Sequence, residues 1–203
     1  MIFDIVQVGD PVLRQRARPL AREEIGTPFV QELISSMRMT MYDAPGVGLA
    51  APQVGESLQI VVVEDDGPHL ENMSPQRRTE LRRLPLPYAV LINPVLEPVG
   101  DETDEFFEGC LSVAGYSGAV RRHRAVRVRA LNARGEPVAL DLTGWPARIL
   151  QHELDHLAGV LYIDKMDSRT FTTNENFGRW WKARPVEEVR RSMNGPSPAA
   201  PEA

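Results

Sequence analysis

Residues 151–156, with the sequence QHELDH, have the residue types and the spacing that suit metal-assisted hydrolysis. On an α-helix, His152 and His156 are four residues apart and share one face, so both imidazoles can bind one divalent ion. The Glu153 carboxylate can then reach a metal-bound water without taking a coordination position. The alternative is a pair of ordinary helix histidines, because short motifs also occur by chance. The pattern favours a helix with two metal ligands and a general base.

The third metal ligand decides the class of enzyme, because a catalytic divalent site usually has three protein ligands and one open position. A histidine three residues after Gly159 would indicate a metzincin-type protease, but the chain has Tyr162 there. Glu175 fits the spacing of a thermolysin-like protease, in which the third ligand lies further downstream. Cys110 is the other candidate, although a lone cysteine is more often a small buried hydrophobe. Spacing alone leaves both Glu175 and Cys110 open.

Residues 46–53, with the sequence GVGLAAPQ, form a segment of small residues that ends in a side-chain amide. Two glycines and two alanines allow the backbone to run close to a ligand. A phosphate-binding loop is excluded, because no Lys or Ser/Thr stands in the required place. In isolation, the segment is also typical of a tight loop packed under a helix.

Together these segments resemble three motifs of the peptide deformylase family, in the family's order. The similar segments are residues 46–53, 108–112 and 151–159, with residues 8–14, 92–94 and 159–165 beside them. The resemblance covers about residues 1–170. It implies an α+β fold in which antiparallel sheets pack around a central helix that bears the HExxH-type motif.

The resemblance also implies a role for each residue of the catalytic site. The implied metal ligands are Cys110, His152 and His156. Glu153 becomes the general base and acid, while Gln53 and the backbone N–H of Leu111 become the donors to the developing oxyanion. Asp155 is expected to pair with Arg122, because a helix that carries metal ligands needs a fixed orientation.

The substrate is expected to lie in a site with glycine-rich walls and an apolar pocket for the side chain next to the released amine. Gly48 is implied to hold the substrate backbone, and Trp145 and Ile149 precede the histidines on the same helix. The full set of expected substrate-binding residues is Val47, Gly48, Glu108, Gly109, Trp145 and Ile149.

The activity implied by the resemblance is removal of the N-formyl group from the N-terminal methionine of newly made polypeptides, with release of formate. Fe²⁺ is the implied ion, and Zn²⁺, Ni²⁺ or Co²⁺ are possible substitutes. A divalent ion held by one thiolate and two imidazoles lowers the pKa of its bound water toward neutrality. Formyl-methionyl nascent peptides are the expected partners, and a transient contact with the ribosome is a further expectation.

Two other functions remain open from the residues. One is a zinc endopeptidase that uses Glu175 as its third ligand. The other is a non-catalytic binding module that retains a metal site. Glu153 and Gln53 argue against the binding module, because neither residue is needed to hold a metal.

Composition indicates an ordinary globular protein: of 203 residues, 42% are apolar and 25% charged. The formal net charge of −5 argues against direct, sequence-specific nucleic-acid binding and against a cationic membrane binder. A single cysteine excludes an internal disulfide framework. No apolar run is long enough for a membrane span, and no secretory signal is visible, so a cytoplasmic location is expected.

The expected organisation is a catalytic domain over residues 1–170, an extension over 171–193, and a disordered tail over 194–203. Periodicity and turn residues predict most elements. Residues 65–87 are expected to be an exposed insertion with a short helix. Arginines alternate with apolar residues between Arg121 and Arg129, which predicts a strand with one solvated face. The predicted helices are residues 28–43, 75–84, 146–157 and 187–193, and the predicted strands are residues 59–64, 88–98, 125–131 and 137–142.

Overall fold

The computed structural model describes residues 1–66, 68–71 and 73–194. It contains antiparallel sheets and helices, which confirms the predicted α+β class. The helices are α1 Arg22–Ile25, α2 Pro28–Asp43, α3 Pro68–Glu71, α4 Pro75–Leu81, α5 Trp145–Leu157, α6 Asn174–Asn176 and α7 Val186–Asn194. The strands are β1 Gly48–Ala50, β2 Ile60–Asp65, β3 Leu86–Pro98, β4 Thr103–Cys110, β5 Val113–His123, β6 Ala125–Leu131, β7 Pro137–Thr143 and β8 Thr172–Thr173.

The larger sheet has five strands in the order β1-β2-β3-β6-β7, and all neighbouring strands are antiparallel. In β6, Val126 and Val128 are buried whereas Arg127 and Arg129 are exposed, as the alternation predicts. Arg127 donates to Asp141 on β7 at 2.6 Å. The arginines of this strand therefore lie on a solvated face.

The smaller sheet, in the order β4-β5-β8, is missing from the sequence prediction. Strand β4 contains two adjacent aromatic residues, whereas a half-buried strand would alternate apolar with polar residues. Phe106 packs edge-to-face on Trp145, while Phe107 packs on Phe177 on the opposite side. Both faces of β4 are therefore partly covered, so its sequence does not show the alternation of apolar and polar residues by which a half-buried strand is predicted.

Helix α5 lies between the two sheets and carries the two histidines. Ala147, Leu150 and Leu157 belong to a core cluster that includes valines of β2 and β6. The helix ends before Gly159, whose φ of +74° lies in the left-handed region. A Cβ there would lie 2.7 Å from the carbonyl oxygen of Arg14, so glycine is required for the close approach.

Among the described residues of segment 65–87, the structure confirms the predicted exposed insertion only in part. The predicted short helix is present as α4, and most of the segment is exposed, but buried residues anchor it. Asp65, Leu81 and Leu86 are buried. The segment packs on the start of α5, where a Cβ on Gly144 would lie 2.4 Å from the carbonyl oxygen of Arg82. This segment therefore supports the helix that carries the histidines.

The C-terminal segment packs on the smaller sheet: β8 pairs with β5, and Val186 and Val189 of α7 are buried. Of the tail predicted to be disordered, Asn194 ends α7 and residues 195–203 lie outside the described residues. Within the described ranges, none of the helices has the length and apolarity needed to cross a membrane.

Candidate metal centre and cleft

Cys110, His152 and His156 converge at the junction of the two sheets. One ligand atom from each lies within 4.8 Å of the others, and Cys110 Sγ is 3.3 Å from His156 Nε2. Cys110 ends β4, whereas one turn of α5 separates the histidines. One sulfur and two imidazole nitrogens are a donor set for a divalent transition ion. Glu175, the alternative ligand, is exposed and does not belong to this group.

Buried ion pairs hold His152 in position. Its Nδ1 lies 3.0 Å from Glu108 Oε2, which leaves Nε2 for the ion. Arg122 donates to both oxygens of Glu108 at 2.7 and 2.8 Å, and to Asp155 at 2.7 Å. The Asp155–Arg122 pair suggested by the family pattern is therefore present in the structure.

Glu108 lines the cleft, but its carboxylate is already committed to protein partners. Besides Arg122 and His152, it accepts a hydrogen bond of 2.5 Å from Arg148. Burial alone would raise the pKa of Glu108, yet hydrogen bonds with Arg122 and His152 hold that pKa well below its usual range. The carboxylate therefore stays ionised, and it orients His152 rather than offering a free oxygen to substrate.

Glu153, the residue that follows His152, is buried, and its Oε2 has no hydrogen-bond partner among the described residues. Burial raises the pKa of Glu153 to about 7. Strand β1 packs directly on this carboxylate: a Cβ on Gly48 would lie 2.3 Å from Glu153 Oε1. Gly48 therefore has to be glycine for the strand to approach, and the open oxygen is available to a water molecule.

Gln53 and Leu111 lie beside Cys110. Gln53 is buried, and its Nε2 is 3.7 Å from Cys110 Sγ and 3.3 Å from Ser112 Oγ. Its Oε1 accepts from the backbone N–H of Ala50 at 2.9 Å, which fixes the amide. No described residue accepts from the backbone N–H of Leu111. The Leu111 N–H is thus open to a developing oxyanion, and Gln53 Nε2 can join it by exchanging one of its long hydrogen bonds to Cys110 Sγ and Ser112 Oγ.

A cleft of about 390 Å³ opens beside these residues. It is bounded by the edge strands of both sheets, with Gly48 on β1 and Gly109 on β4. All six expected substrate-binding residues line it, namely Val47, Gly48, Glu108, Gly109, Trp145 and Ile149. Six further lining residues were not identified from sequence, namely Pro45, Arg83, Phe107, Tyr116, Arg148 and Asn174.

The pocket around Trp145 is less apolar than the sequence predicts, because two arginines approach the indole. The guanidinium carbon of Arg83 lies 5.4 Å from the ring centroid, and that of Arg148 lies 5.8 Å away. Arg83 is held by two hydrogen bonds of 2.8 Å to buried Asp65. The sequence signal for Arg83 is the charged segment 65–87, which is typical of a solvent-exposed insertion.

Comparison with known proteins identifies relatives along nearly the whole chain. The family model described as "Polypeptide deformylase" matches residues 2–172. The chain is 48% identical to "Peptide deformylase 1A, chloroplastic" from Solanum lycopersicum, over 85% of this chain and 62% of that protein. It is 46% identical to "Peptide deformylase 3" from Streptomyces avermitilis, over 93% of this chain and 82% of that protein.

Solved structures show the same fold. A class I type b peptide deformylase from Acinetobacter baumannii, in complex with Met-Ala-Ser, superposes with a TM-score of 0.72 at 31% identity. The match covers 82% of this chain and 99% of that one. The deformylase of Thermotoga maritima superposes with a TM-score of 0.68 at 36% identity, over 82% and 99% of the two chains.

Proposed function

The chain belongs to the peptide deformylase family, and we propose that Cys110, His152 and His156 form its metal centre. The protein is a hydrolase that removes the N-formyl group from the N-terminal methionine of newly made polypeptides. Hydrolysis of that amide releases formate and leaves a free α-amino group. The tomato relative is longer than this chain, whereas the chain spans most of the Streptomyces relative.

The observation that carries the proposed metal centre is the convergence of three ligand atoms within 4.8 Å from two separate elements. Glu108 fixes the outer nitrogen of His152, and Arg122 fixes Glu108. A bound divalent ion would supply an activated water and polarise the formyl oxygen. The fit is further supported by the buried, unpartnered oxygen of Glu153 beside the cluster.

Glu153 and two N–H donors carry the remaining chemistry in this proposal. Glu153 accepts a proton from the attacking water and returns it to the leaving amine nitrogen as the C–N bond breaks. Gln53 Nε2 and the Leu111 N–H donate hydrogen bonds to the oxygen that becomes negatively charged. Ala50 holds the Gln53 amide oxygen in place, while Gln53 Nε2 exchanges Ser112 Oγ or Cys110 Sγ for the substrate oxygen.

The ion that we propose is Fe²⁺, with Zn²⁺, Ni²⁺ or Co²⁺ able to replace it, because a thiolate and two imidazoles accept all four. We propose a cytoplasmic location on the ground that a cysteine ligand to iron needs a reducing compartment. Relatives named as chloroplastic and mitochondrial use the same family fold in other compartments.

The proposed substrates are formyl-methionyl nascent peptides held between the edge strands β1 and β4. The Met-Ala-Ser complex of the Acinetobacter relative supports a peptide that begins with methionine. A transient contact between the C-terminal extension and the ribosome is an additional proposal, which co-sedimentation of the full chain with ribosomes would test.

The test of the function is release of formate from formyl-Met-Ala by anaerobically purified, iron-loaded protein. We expect formate release, with the matched acetyl-Met-Ala peptide left intact. Absence of formate from the loaded enzyme would overturn the proposal. Cleavage of internal peptide bonds in a longer substrate would instead favour the endopeptidase hypothesis with Glu175.

A further inference from the structure

We propose that Asn174, in the C-terminal extension, binds a backbone carbonyl of the substrate beyond its methionine. This inference deepens the proposed function and rests on it. The expected ligand is the main chain of an extended peptide, so the contact would make the enzyme sensitive to peptide length rather than to one side chain.

Strand pairing places Asn174 beside the cleft. Thr172 and Thr173 pair with Ser117 and Tyr116 of β5, and Asn174 follows directly as the first residue of α6. Asn174 and Tyr116 both line the cleft that contains the candidate metal ligands. The C-terminal extension therefore forms part of the wall along which a peptide would leave the metal centre.

A neighbouring hydroxyl sets the direction of the Asn174 amide. Ser117 is buried, and its Oγ donates to Asn174 Oδ1 at 2.7 Å. No acceptor for Asn174 Nδ2 is present in the part of the chain that the structure describes. Asn174 is exposed, so its two N–H donors face the solvent of the cleft while its acceptor is engaged, and a carbonyl oxygen of the substrate can accept from them there.

Side-chain contacts indicate which part of the substrate Asn174 would meet. Gly109, next to Cys110, lies opposite Ser117, which in turn lies opposite Thr172. A Cβ on Gly109 would lie 3.6 Å from Ser117 Oγ, and the same hydroxyl donates to Asn174 Oδ1. The Ser117 side chain therefore separates Asn174 from Gly109, so the contact falls beyond the methionine and away from the formyl group.

An exposed aromatic pair flanks the same position. Tyr116 and Phe171 stack with centroids 5.0 Å apart and an interplanar angle of 10°. Their exposed fractions are 42% and 43%, so both rings are accessible from solvent. The pair offers a flat apolar surface to a downstream substrate side chain, while Asn174 offers a donor to the backbone.

The experiment compares formyl-Met-Ala with formyl-Met-Ala-Ser-Leu as substrates of the metal-loaded full chain. For N174A we expect KM for the tetrapeptide to rise about 2- to 10-fold, the size of one hydrogen bond. KM for the dipeptide and kcat for both peptides should remain unchanged. N174D should behave like N174A, because it keeps the shape and the Ser117 contact but lacks the N–H donors.

The matched control is N176A, which changes an exposed asparagine of the same helix that does not line the cleft. It should leave KM unchanged for both peptides. An N174A variant with the same KM change for both peptides, or with no change for the tetrapeptide, would overturn the inference. If the wild-type protein releases formate from neither peptide, the proposed function fails instead, so the two failures are distinguishable.

Discussion

The two walls of the cleft differ in how their polar groups are used. The motif wall, defined here as Gly48, Glu108, Cys110, His152 and Glu153, is mostly buried, and ion pairs with arginines fix its central carboxylate. The extension wall is defined as Asn174 of the C-terminal extension together with Phe107 of β4 and Tyr116 of β5. It is more exposed, and the side-chain nitrogen of Asn174 has no partner among the described residues.

This difference separates chemistry from recognition. Buried charges with fixed partners keep the proposed metal ligands and the proposed base in one geometry, which a reaction at one bond requires. Exposed groups with open hydrogen-bonding capacity suit a substrate whose sequence varies. Substitutions in the motif wall should therefore change kcat or folding, and substitutions in the extension wall should change KM at most.

The largest effect is expected for Glu153→Gln in the motif wall. Loss of the proposed general base should lower kcat by about 10²- to 10⁴-fold while the metal stays bound. Formate release and metal content of the same preparation measure this. Glu175→Gln, on the extension, is the matched control and should retain full turnover. Unchanged turnover of Glu153→Gln would remove this residue from the mechanism.

The next effect concerns folding and compares a buried carboxylate with an exposed one. Glu108→Gln leaves the charges of Arg122 and Arg148 buried without a full partner, which should lower the free energy of unfolding by about 3–5 kcal/mol. Glu97→Gln breaks the exposed pair with Arg129 and should cost about 0–1 kcal/mol. Urea denaturation measures the free energy of unfolding of both variants. Equal losses of stability would contradict the difference assigned to the buried and the exposed ion pair.

Two glycines provide a smaller test. Gly48→Ala would place a Cβ 2.3 Å from Glu153 Oε1, so the carboxylate must shift and kcat should fall. Overpacking of this kind should also lower the free energy of unfolding by about 1–3 kcal/mol. Gly178 follows Phe177 in the C-terminal extension, and a Cβ there would have no heavy atom within 4 Å. Gly178→Ala should be neutral or slightly stabilising, because alanine restricts the unfolded chain. Kinetics and urea denaturation distinguish the two variants.

The smallest effect is a pH dependence of the docked C-terminal helix. Arg190 on α7 donates to Asp167 at 2.8 Å, and this bond lowers the pKa of Asp167. The pair therefore adds stability above the ordinary aspartate pKa near 3.9 and loses it as the pH falls through the lowered value. The free-energy gap between wild type and Arg190→Gln, about 1 kcal/mol or less at pH 6.5, should shrink at pH 3.

A gap that stays constant or widens at pH 3 would contradict this account of Arg190. Glu105, which accepts from Arg190 at 2.6 and 2.7 Å, belongs to the same cluster. The comparison with Glu105→Gln shows how much of the gap comes from that second carboxylate.

Sequence predicts the elements whose signals are local. Thr27 and Pro28 mark the start of α2 at the observed residue, and alternation between apolar residues and arginines predicts β6 with its observed bounds. Asn93, followed by Pro94, indicates a local irregularity in β3, and Asn93 has a φ of +50° beside a shift of register. Each of these signals depends on neighbouring residues alone.

The missed features depend on contacts between distant residues. Strand β4 has no period of two, because packing on Trp145 and on Phe177 covers both of its faces. Asn174 reaches the cleft only because β8 pairs with β5, and Arg83 reaches it through buried Asp65. Cys110 as a third ligand came from resemblance, since spacing left Glu175 open.

The most direct test of the account measures metal content after anaerobic loading and dialysis. Wild-type protein and Glu175→Ala should each hold close to one ion per chain, whereas Cys110→Ser should lose most of it, because one of three protein ligands is weakened. Circular dichroism of the same samples shows whether Cys110→Ser is folded. A folded Cys110→Ser variant that keeps its ion, or a Glu175→Ala variant that loses it, would contradict the assigned metal centre.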